Sequence, residues 1–309
     1  EWLDPKGKDF PRALEVLAYH AERIKPDIVH INGYREALAE WNAPVIVVAH
    51  SCVRSWWRAC RHEEPDPRWG NYIASLRAGL NAADRWLAPT AAFRDQVETL
   101  YAPATRGSVI WNGAGDYQSA PVKEPFVLAA GRLWDEAKNI ALLARAADDV
   151  PWLIFAAGAA ESPGKGDAQR LDRIRLLGEL PHAALLGVMR RAAILAAPAV
   201  YEPFGLTILE AATAGCALVL SDLPSLRELW NGAALFVDPH DVDAWRLALI
   251  QLALSDSLRL GLQRRARARA RRYSLDTMAD AYTALYRDCL RPASIAPDVR
   301  GAAAAGALK

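Results

Sequence analysis

The chain has 309 residues, with 52% hydrophobic and 24% charged side chains and a formal net charge of +1. That length suits about two domains and a core that needs no staples. The near-neutral balance excludes a dedicated nucleic-acid binder, which carries a basic excess, and no apolar run reaches the ~20 residues that cross a bilayer as a helix.

The first pattern is a helical stripe from Phe10 to Ile24, with apolar Leu14, Leu17, Ala18, Ala21 and Ile24 on one side. Pro26 and Asp27 stop it. Strands are expected at Ile28–Ile31 and at Pro44–Ala49, the second nearly continuous in β-branched residues. Cys52–Trp69, rich in Trp and Arg, reads as a loop that either packs internally or stacks on a sugar. Helix follows at Trp69–Ala82, strand at Arg85–Ala88, helix at Thr90–Tyr101 with Thr90 as cap, and strand at Ser108–Trp111.

Gly, Ser, Pro and Lys then interrupt the pattern between Gly113 and Pro125, which sets a domain boundary there. A second series begins with strand Phe126–Ala130, helix Asn139–Ala147, strand Trp152–Ala157 and helix Ala168–Leu177. Strands at Ala183–Leu186 and Ala193–Ala197 precede helix Leu206–Ala214, strand Ala217–Ser221 and strand Ala234–Val237. Two or three helices fill Val242–Leu290, with Asp241-Val242-Asp243 as a helix cap. The tail from Pro292 is low in complexity and is expected to be disordered.

Buried β-branched runs separated by helices imply parallel strands covered on both faces. The expected fold is therefore α/β, with two facing doubly wound Rossmann-like domains. The division is 1–116, 117–275, a helix at 276–290 packing back toward the first domain, and a tail at 291–309. Ligands of such sheets lie at the carboxyl ends of the strands.

Two constellations fall at those ends. In Tyr201–Glu210 (YEPFGLTILE), Gly205 permits a tight turn and a helix starts near Leu206, so its first N–H groups can meet a phosphate. Glu202 lies before that helix and Glu210 inside it. Each carboxylate can accept hydrogen bonds from neighbouring sugar hydroxyls, or simply supply an acidic helix start. In Gly131–Asn139 (GRLWDEAKN), Arg132 and Lys138 can neutralise a diphosphate without a metal, or form a solvated charged loop with Glu136. His50 ends a strand and can contact a sugar hydroxyl or serve a structural purpose; His30 invites the same reading with less weight. Asn112-Gly113 ends the first domain's last strand and by itself reads as a plain turn. Arg264–Arg272 can touch anionic lipid or form a basic solvated face.

Several motifs are missing. There is no GxGxxG, and Gly158–Lys165 fails the phosphate-loop spacing. Cys52, Cys60, Cys216 and Cys289 form no CxxC pair, so idle thiols in a reducing cytoplasm are expected. The opening EWLDPKGKDFP lacks Met and reads as a cut inside a longer gene.

The order GRLWDEAKN, YEPFGLTILEAATAG and LVLSDLPSLRELW resembles the carboxyl-terminal domain of GT-B retaining glycosyltransferases of family four. WNGAG, DIVHING and VIVVAHS are similar to that family's interdomain segment and later amino-terminal strands. The likeness spans roughly Asp27 to Leu290. It implies a carbohydrate-biosynthetic hexosyltransferase that uses a UDP-, GDP- or ADP-sugar, an unidentified acceptor and no cofactor or metal. It is expected in the cytoplasm, with Arg264–Arg272 either touching a membrane surface peripherally or forming a basic solvated face. Glu202 would meet the transferred sugar and Glu210 the ribose. The segment Phe204, Gly205, Leu206 and Thr207, together with Gly131 and Asn112, would line the substrate. Arg132 and Lys138 would hold the leaving diphosphate, and His50 would touch the sugar from the first domain. The six-position step from Arg132 to Lys138 is one longer than the commoner family spacing, so the loop must bulge. The family's first strands and Gly-rich loop have no counterpart before Ile28, which leaves a truncated, non-catalytic nucleotide-sugar-binding module as the alternative.

Overall fold

The computed structural model describes residues 4–117, 122–162 and 171–291. The first region begins with α1 (Phe10–Ile24), β1 (Val29–Ile31), β2 (Val45–Val48), α2 (Val53–Arg61) and α3 (Gly70–Ala82). It continues through β3 (Arg85–Ala88), α4 (Ala91–Tyr101) and β4 (Ser108–Val109). Its strands form one parallel sheet in the order β1-β2-β3-β4. All of β2 is buried, as a strand covered on both faces requires. Tyr72, Leu76, Trp86, Phe93 and Val97 pack one side of this region.

The second region contains β5 (Glu124–Ala130), α5 (Ile140–Ala146), β6 (Leu153–Ala157), β7 (Arg175–Gly178), α6 (His182–Arg191) and β8 (Ala192–Ala197). Then come α7 (Leu206–Thr213), β9 (Ala217–Ser221), α8 (Pro224–Trp230), β10 (Leu235–Val237), α9 (Val242–Leu254), α10 (Asp256–Ala270) and α11 (Leu275–Cys289). The six-stranded parallel sheet runs β10-β9-β8-β5-β6-β7. From β5 the chain builds outward to β7, then returns to β8 on the other side of β5. The β5/β8 boundary is thus the switch point, where a crevice opens beyond the strand ends. Two buried clusters sandwich this sheet, one around Leu128, Leu195, Leu218 and Trp230, the other around Val127, Ile154, Ile194 and Trp245.

The last helix returns to the first sheet. Met278, Ala281, Tyr282, Leu285 and Tyr286 of α11 cover Ile46, Val48, Leu87 and Ile110. Where the chain crosses between the regions, Ala114 N donates to the Tyr273 carbonyl at 3.0 Å, and Ala114 bridges Ser274 in parallel. A Cβ on Gly113 would stand 2.5 Å from the Ser274 carbonyl oxygen, so this glycine serves a close backbone approach beyond a plain turn.

Three local expectations are corrected and one helix is added. Arg175–Leu177 is strand, not helix; β7 pairs only with β6 at the sheet edge, and its mostly exposed residues carry little of the apolar signal of a buried strand. Residues 168–170 of that expected helix lie outside the described residues, as do Pro163–Lys165 and the tail from Pro292. Ala183–Leu186 belongs to helix α6, since a four-residue apolar run does not by itself distinguish helix from strand. Cys52–Trp69 is not a loop, because Val53–Arg61 is helical and the Cys52 thiol accepts from Ser55 N at its start. Pro224–Trp230 adds a helix that opens on a proline, where the missing N–H costs nothing. Thr90 and Asp241 cap α4 and α9 through Phe93 N and Ala244 N.

Candidate active site

Two loops meet at the switch point. The loop after β8 carries Glu202, and the loop after β5 carries Arg132 and Lys138. Lys138 Nζ donates to Glu202 Oε2 at 2.6 Å, with both side chains mostly buried. Thr207, Ile208, Pro198 and Ala130 line a small recess beside this pair.

Gly205 shapes the second half of the site. Its φ of +87° is a left-handed conformation, and it precedes α7 with no side-chain cap on the helix. The first N–H groups of α7 therefore remain open to an anionic ligand. Leu206 is half exposed at that helix start. The Phe204 side chain is buried at 4% exposure against Tyr273, so only its backbone is offered to a ligand. Five residues into α7, Glu210 Oε1 lies 2.8 Å from His182 Nε2 at the start of α6, and Tyr117 meets the His182 ring edge-on.

The Gly131–Asn139 loop is tightly determined. Gly131 N donates to the Ala157 carbonyl, and a Cβ on Gly158 would overlap the Gly131 carbonyl oxygen. Asp135, 3% exposed, organises the turn. Its Oδ1 accepts from Ala137 N at 3.0 Å, and its Oδ2 accepts from Arg132 Nε at 3.1 Å and Nη2 at 2.6 Å. The longer step between Arg132 and Lys138 is taken up by a single 3₁₀ turn over Glu136–Lys138, which ends on left-handed Asn139. Asn139 Nδ2 donates to the carbonyls of Pro198 and Pro239, tying this loop to the one bearing Glu202.

The first region forms the opposite wall. His50 follows β2 and is exposed, with Nε2 2.9 Å from Asn32 Oδ1. With that oxygen as acceptor, Nε2 carries the proton and Nδ1 is left to accept. Desolvation and the nearby His30 hold its pKa below the ordinary 6.5. His30 is committed elsewhere, since Nδ1 lies 2.6 Å from the Tyr286 hydroxyl and Tyr282 stacks on the ring. Burial lowers its pKa as well. Asn112 lies in the connector beside Gly113, whose N–H points to Met278 Sδ at 3.2 Å.

The walls are joined by contacts that chain order does not announce. Tyr201, next to Glu202, places its hydroxyl 2.8 Å from Ser55 Oγ and 3.3 Å from Cys52 N. Thr90 Oγ1 donates to the Pro203 carbonyl at 2.9 Å. Glu228 of α8 accepts from Ala91 N and Ala92 N at the start of α4. Trp56 Nε1 donates to Asp135 Oδ1 at 3.1 Å, and Arg61 pairs with Glu136 while lying over Trp56 and Trp57. The aromatic richness of Cys52–Trp69 was the one available signal, and much of it serves this contact between regions. Arg54 and Arg58 both pair with Glu64.

Arg264–Arg272 does not present one continuous basic face. Arg269 donates to the carbonyls of Leu229 and Asn231, and Arg267 lies 3.9 Å from Asp116. Arg264, Arg265, Arg271 and Arg272 remain exposed. All four cysteines are free thiols. Among the described residues, no helix is long and apolar enough to cross a membrane.

Comparison with known proteins matches residues 1–114 to the model for Glycosyltransferase Family 4 and residues 124–255 to that for Glycosyl transferases group 1. The chain is 30% identical over 301 residues to glycogen synthase of Mycobacterium tuberculosis, covering 85% of this chain and 69% of that protein. It is 32% identical over 162 residues to O-antigen chain mannosyltransferase B of Escherichia coli, covering 51% of this chain but spanning only 37% of that protein's length. The crystal structure of HepE from Anabaena in complex with UDP-glucose superposes with a TM-score of 0.72 at 19% identity, over 89% of this chain and 82% of that one. That likeness, over two parallel sheets with flanking helices, is the GT-B fold of two Rossmann-like domains.

Proposed function

The chain belongs to the group 1 glycosyltransferases of family four, and from that premise we propose that it moves a hexose from a nucleoside diphosphate sugar to an acceptor with retention and without a metal. The observation that carries this reading is the Lys138–Glu202 pair at the β5/β8 switch point, with Arg132 in the same loop and the uncapped start of α7 alongside.

Each group has a task in that reading. Glu202 accepts hydroxyl hydrogen bonds from the transferred sugar, and Glu210 accepts from the ribose. Backbone N–H groups of Leu206 and Thr207 meet the diphosphate at the start of α7. Arg132 and Lys138 balance the charge that grows on the β-phosphate as its bond to C1 breaks, in place of a metal ion. The acceptor oxygen bonds to C1 on the face the phosphate leaves, and the acceptor proton passes to the departing phosphate oxygen. His50, neutral at pH 7, accepts a sugar hydroxyl at Nδ1 rather than donating to one.

The donor is supported as a nucleotide sugar by UDP-glucose in the HepE structure. UDP, GDP and ADP, tested by thermal shift, separate the candidate bases. Glu202→Ala should abolish sugar transfer, and Arg132→Ala should weaken nucleoside diphosphate binding about 10- to 100-fold, the weight of a charge-assisted contact. Transfer that survives Glu202→Ala, or that EDTA abolishes, contradicts the mechanism. The exposed Arg264, Arg265, Arg271 and Arg272 suit an anionic membrane surface near the acceptor. Salt-sensitive co-sedimentation with phosphatidylglycerol vesicles, lost when all four become glutamine, tests that contact.

A further inference from the structure

Asp135 is buried with three neighbours on its carboxylate, and each has a different origin. Ala137 N–H is local to the turn. Arg132 is the cation three residues earlier in the same loop. Trp56 comes from α2, on the other region of the molecule, 79 positions away in sequence. The division of labour follows from the geometry. Oδ1 receives the Trp56 indole at 3.1 Å and Ala137 N at 3.0 Å, while Oδ2 receives both Arg132 nitrogens. The carboxylate is thereby held in one rotation, and that rotation sets where the exposed guanidinium stands. Without the indole, Asp135 keeps one donor on Oδ1 and gains freedom to turn, carrying Arg132 with it.

The rest of α2 is braced on the same turn. Arg61 reaches Glu136 at 2.9 Å and lies 4.5 Å from the centre of the Trp57 ring. Burial, with the charges of Asp135 and Glu136, pushes the half-buried Cys60 thiol up to about 12.

We propose that Trp56 is a positioning residue for donor binding, which acts through Asp135 to aim Arg132 at the diphosphate and so lets the first region govern the second region's phosphate site. The inference rests on the reading of Arg132 as a diphosphate ligand. It assigns α2 a part in donor binding, although α2 belongs to the region expected to face the acceptor. Any opening between the regions that separates Trp56 from Asp135 would loosen Arg132, and reclosure would restore it.

A double-mutant cycle with Trp56→Phe and Arg132→Ala tests this, read by calorimetric titration with whichever of UDP, GDP and ADP binds the wild type. Trp56→Phe keeps an aromatic ring beside Arg61 while removing the indole N–H together with the second ring. Its loss in diphosphate affinity should be roughly 3- to 10-fold, the span of an ordinary hydrogen bond, because the effect reaches the diphosphate only through Asp135. In the Arg132→Ala background the same change should cost less than twofold. The matching nucleoside monophosphate should be bound about equally by wild type and Trp56→Phe, an outcome that general loosening of the fold would not give. Asp135→Asn, which breaks the relay at its centre, should show the same diphosphate-selective loss. Equal losses in both backgrounds, or no loss at all, overturn the relay while leaving Arg132 as a ligand. Unchanged binding in Arg132→Ala, or no nucleotide binding by the wild type, overturns the site reading and the relay with it.

Discussion

Replacing Glu228 with alanine should loosen the contact between the two regions by an amount the structure allows to be worked out. Glu228 accepts from Ala91 N at 3.0 Å and Ala92 N at 2.9 Å, with Trp111 Nε1 at 3.4 Å. Thr90 Oγ1 satisfies Phe93 N in the same turn. Two of the otherwise unpaired donors of α4 thus depend on a carboxylate supplied from α8. Loss of such capping costs about 0.5–2 kcal/mol, and loss of a negative charge at a helix start costs about 0.3–1 kcal/mol. Together these come to roughly 1–3 kcal/mol. With an unfolding entropy of about 2.1 cal/mol/K per residue, a chain of this length should lose about 2–5 °C in Tm. Glu228→Gln keeps one acceptor oxygen and should lose about half as much. Differential scanning calorimetry at neutral pH measures both. A Glu228→Ala Tm within half a degree of wild type, or a glutamine variant as damaged as the alanine one, would refute the capping assignment.

Gly205→Ala should destabilise the protein by about 1–2 kcal/mol, the cost of a left-handed L-residue. The new Cβ would also stand 2.8 Å from Ile208 Cδ1 and 3.4 Å from Glu202 Cγ. Nucleotide affinity should fall with it. Urea unfolding with parallel titration checks both, and wild-type values in the two would deny the strain. For His30 and His50, desolvation, joined at His50 by the neighbouring His30, holds both pKa values below the ordinary one, so the unfolded chain binds their protons more tightly. Their stabilising effect is complete above the ordinary value of 6.5 and is lost as pH falls through the lower folded values. Urea midpoints at pH 7.5 and 5.0 should differ less in His30→Phe than in wild type, and an undiminished difference would remove His30 from the account.

The parallel strands were legible because a strand buried on both faces is apolar nearly throughout, as in Val45–Val48 and residues 217–220. Helix α2 was not legible, because its cap is the Cys52 thiol rather than a hydroxyl or carboxylate. Edge strand β7 has one neighbour and keeps exposed residues. In the site, Glu202, Gly205, Arg132 and Lys138 lie in the loops that follow β8 and β5, where chain order sets their neighbourhood. Trp56, Tyr201 and Glu228 find partners 79 to 149 positions away. No local pattern specifies such pairs, so only the folded chain reveals that they join the walls.

The return of α11 to the first sheet also constrains how the protein is made. Ile46, Val48, Leu87 and Ile110 take most of their described cover from residues 278–289. At about 5–20 residues per second, a ribosome needs roughly 10–35 s to travel from the last of those strands to the sealing helix. During that interval the amino-terminal sheet has one bare apolar face while the six-stranded sheet is being completed beyond it. The earlier-made of the two sheets is therefore the later to close, and its newborn face is the surface a chaperone would be expected to guard.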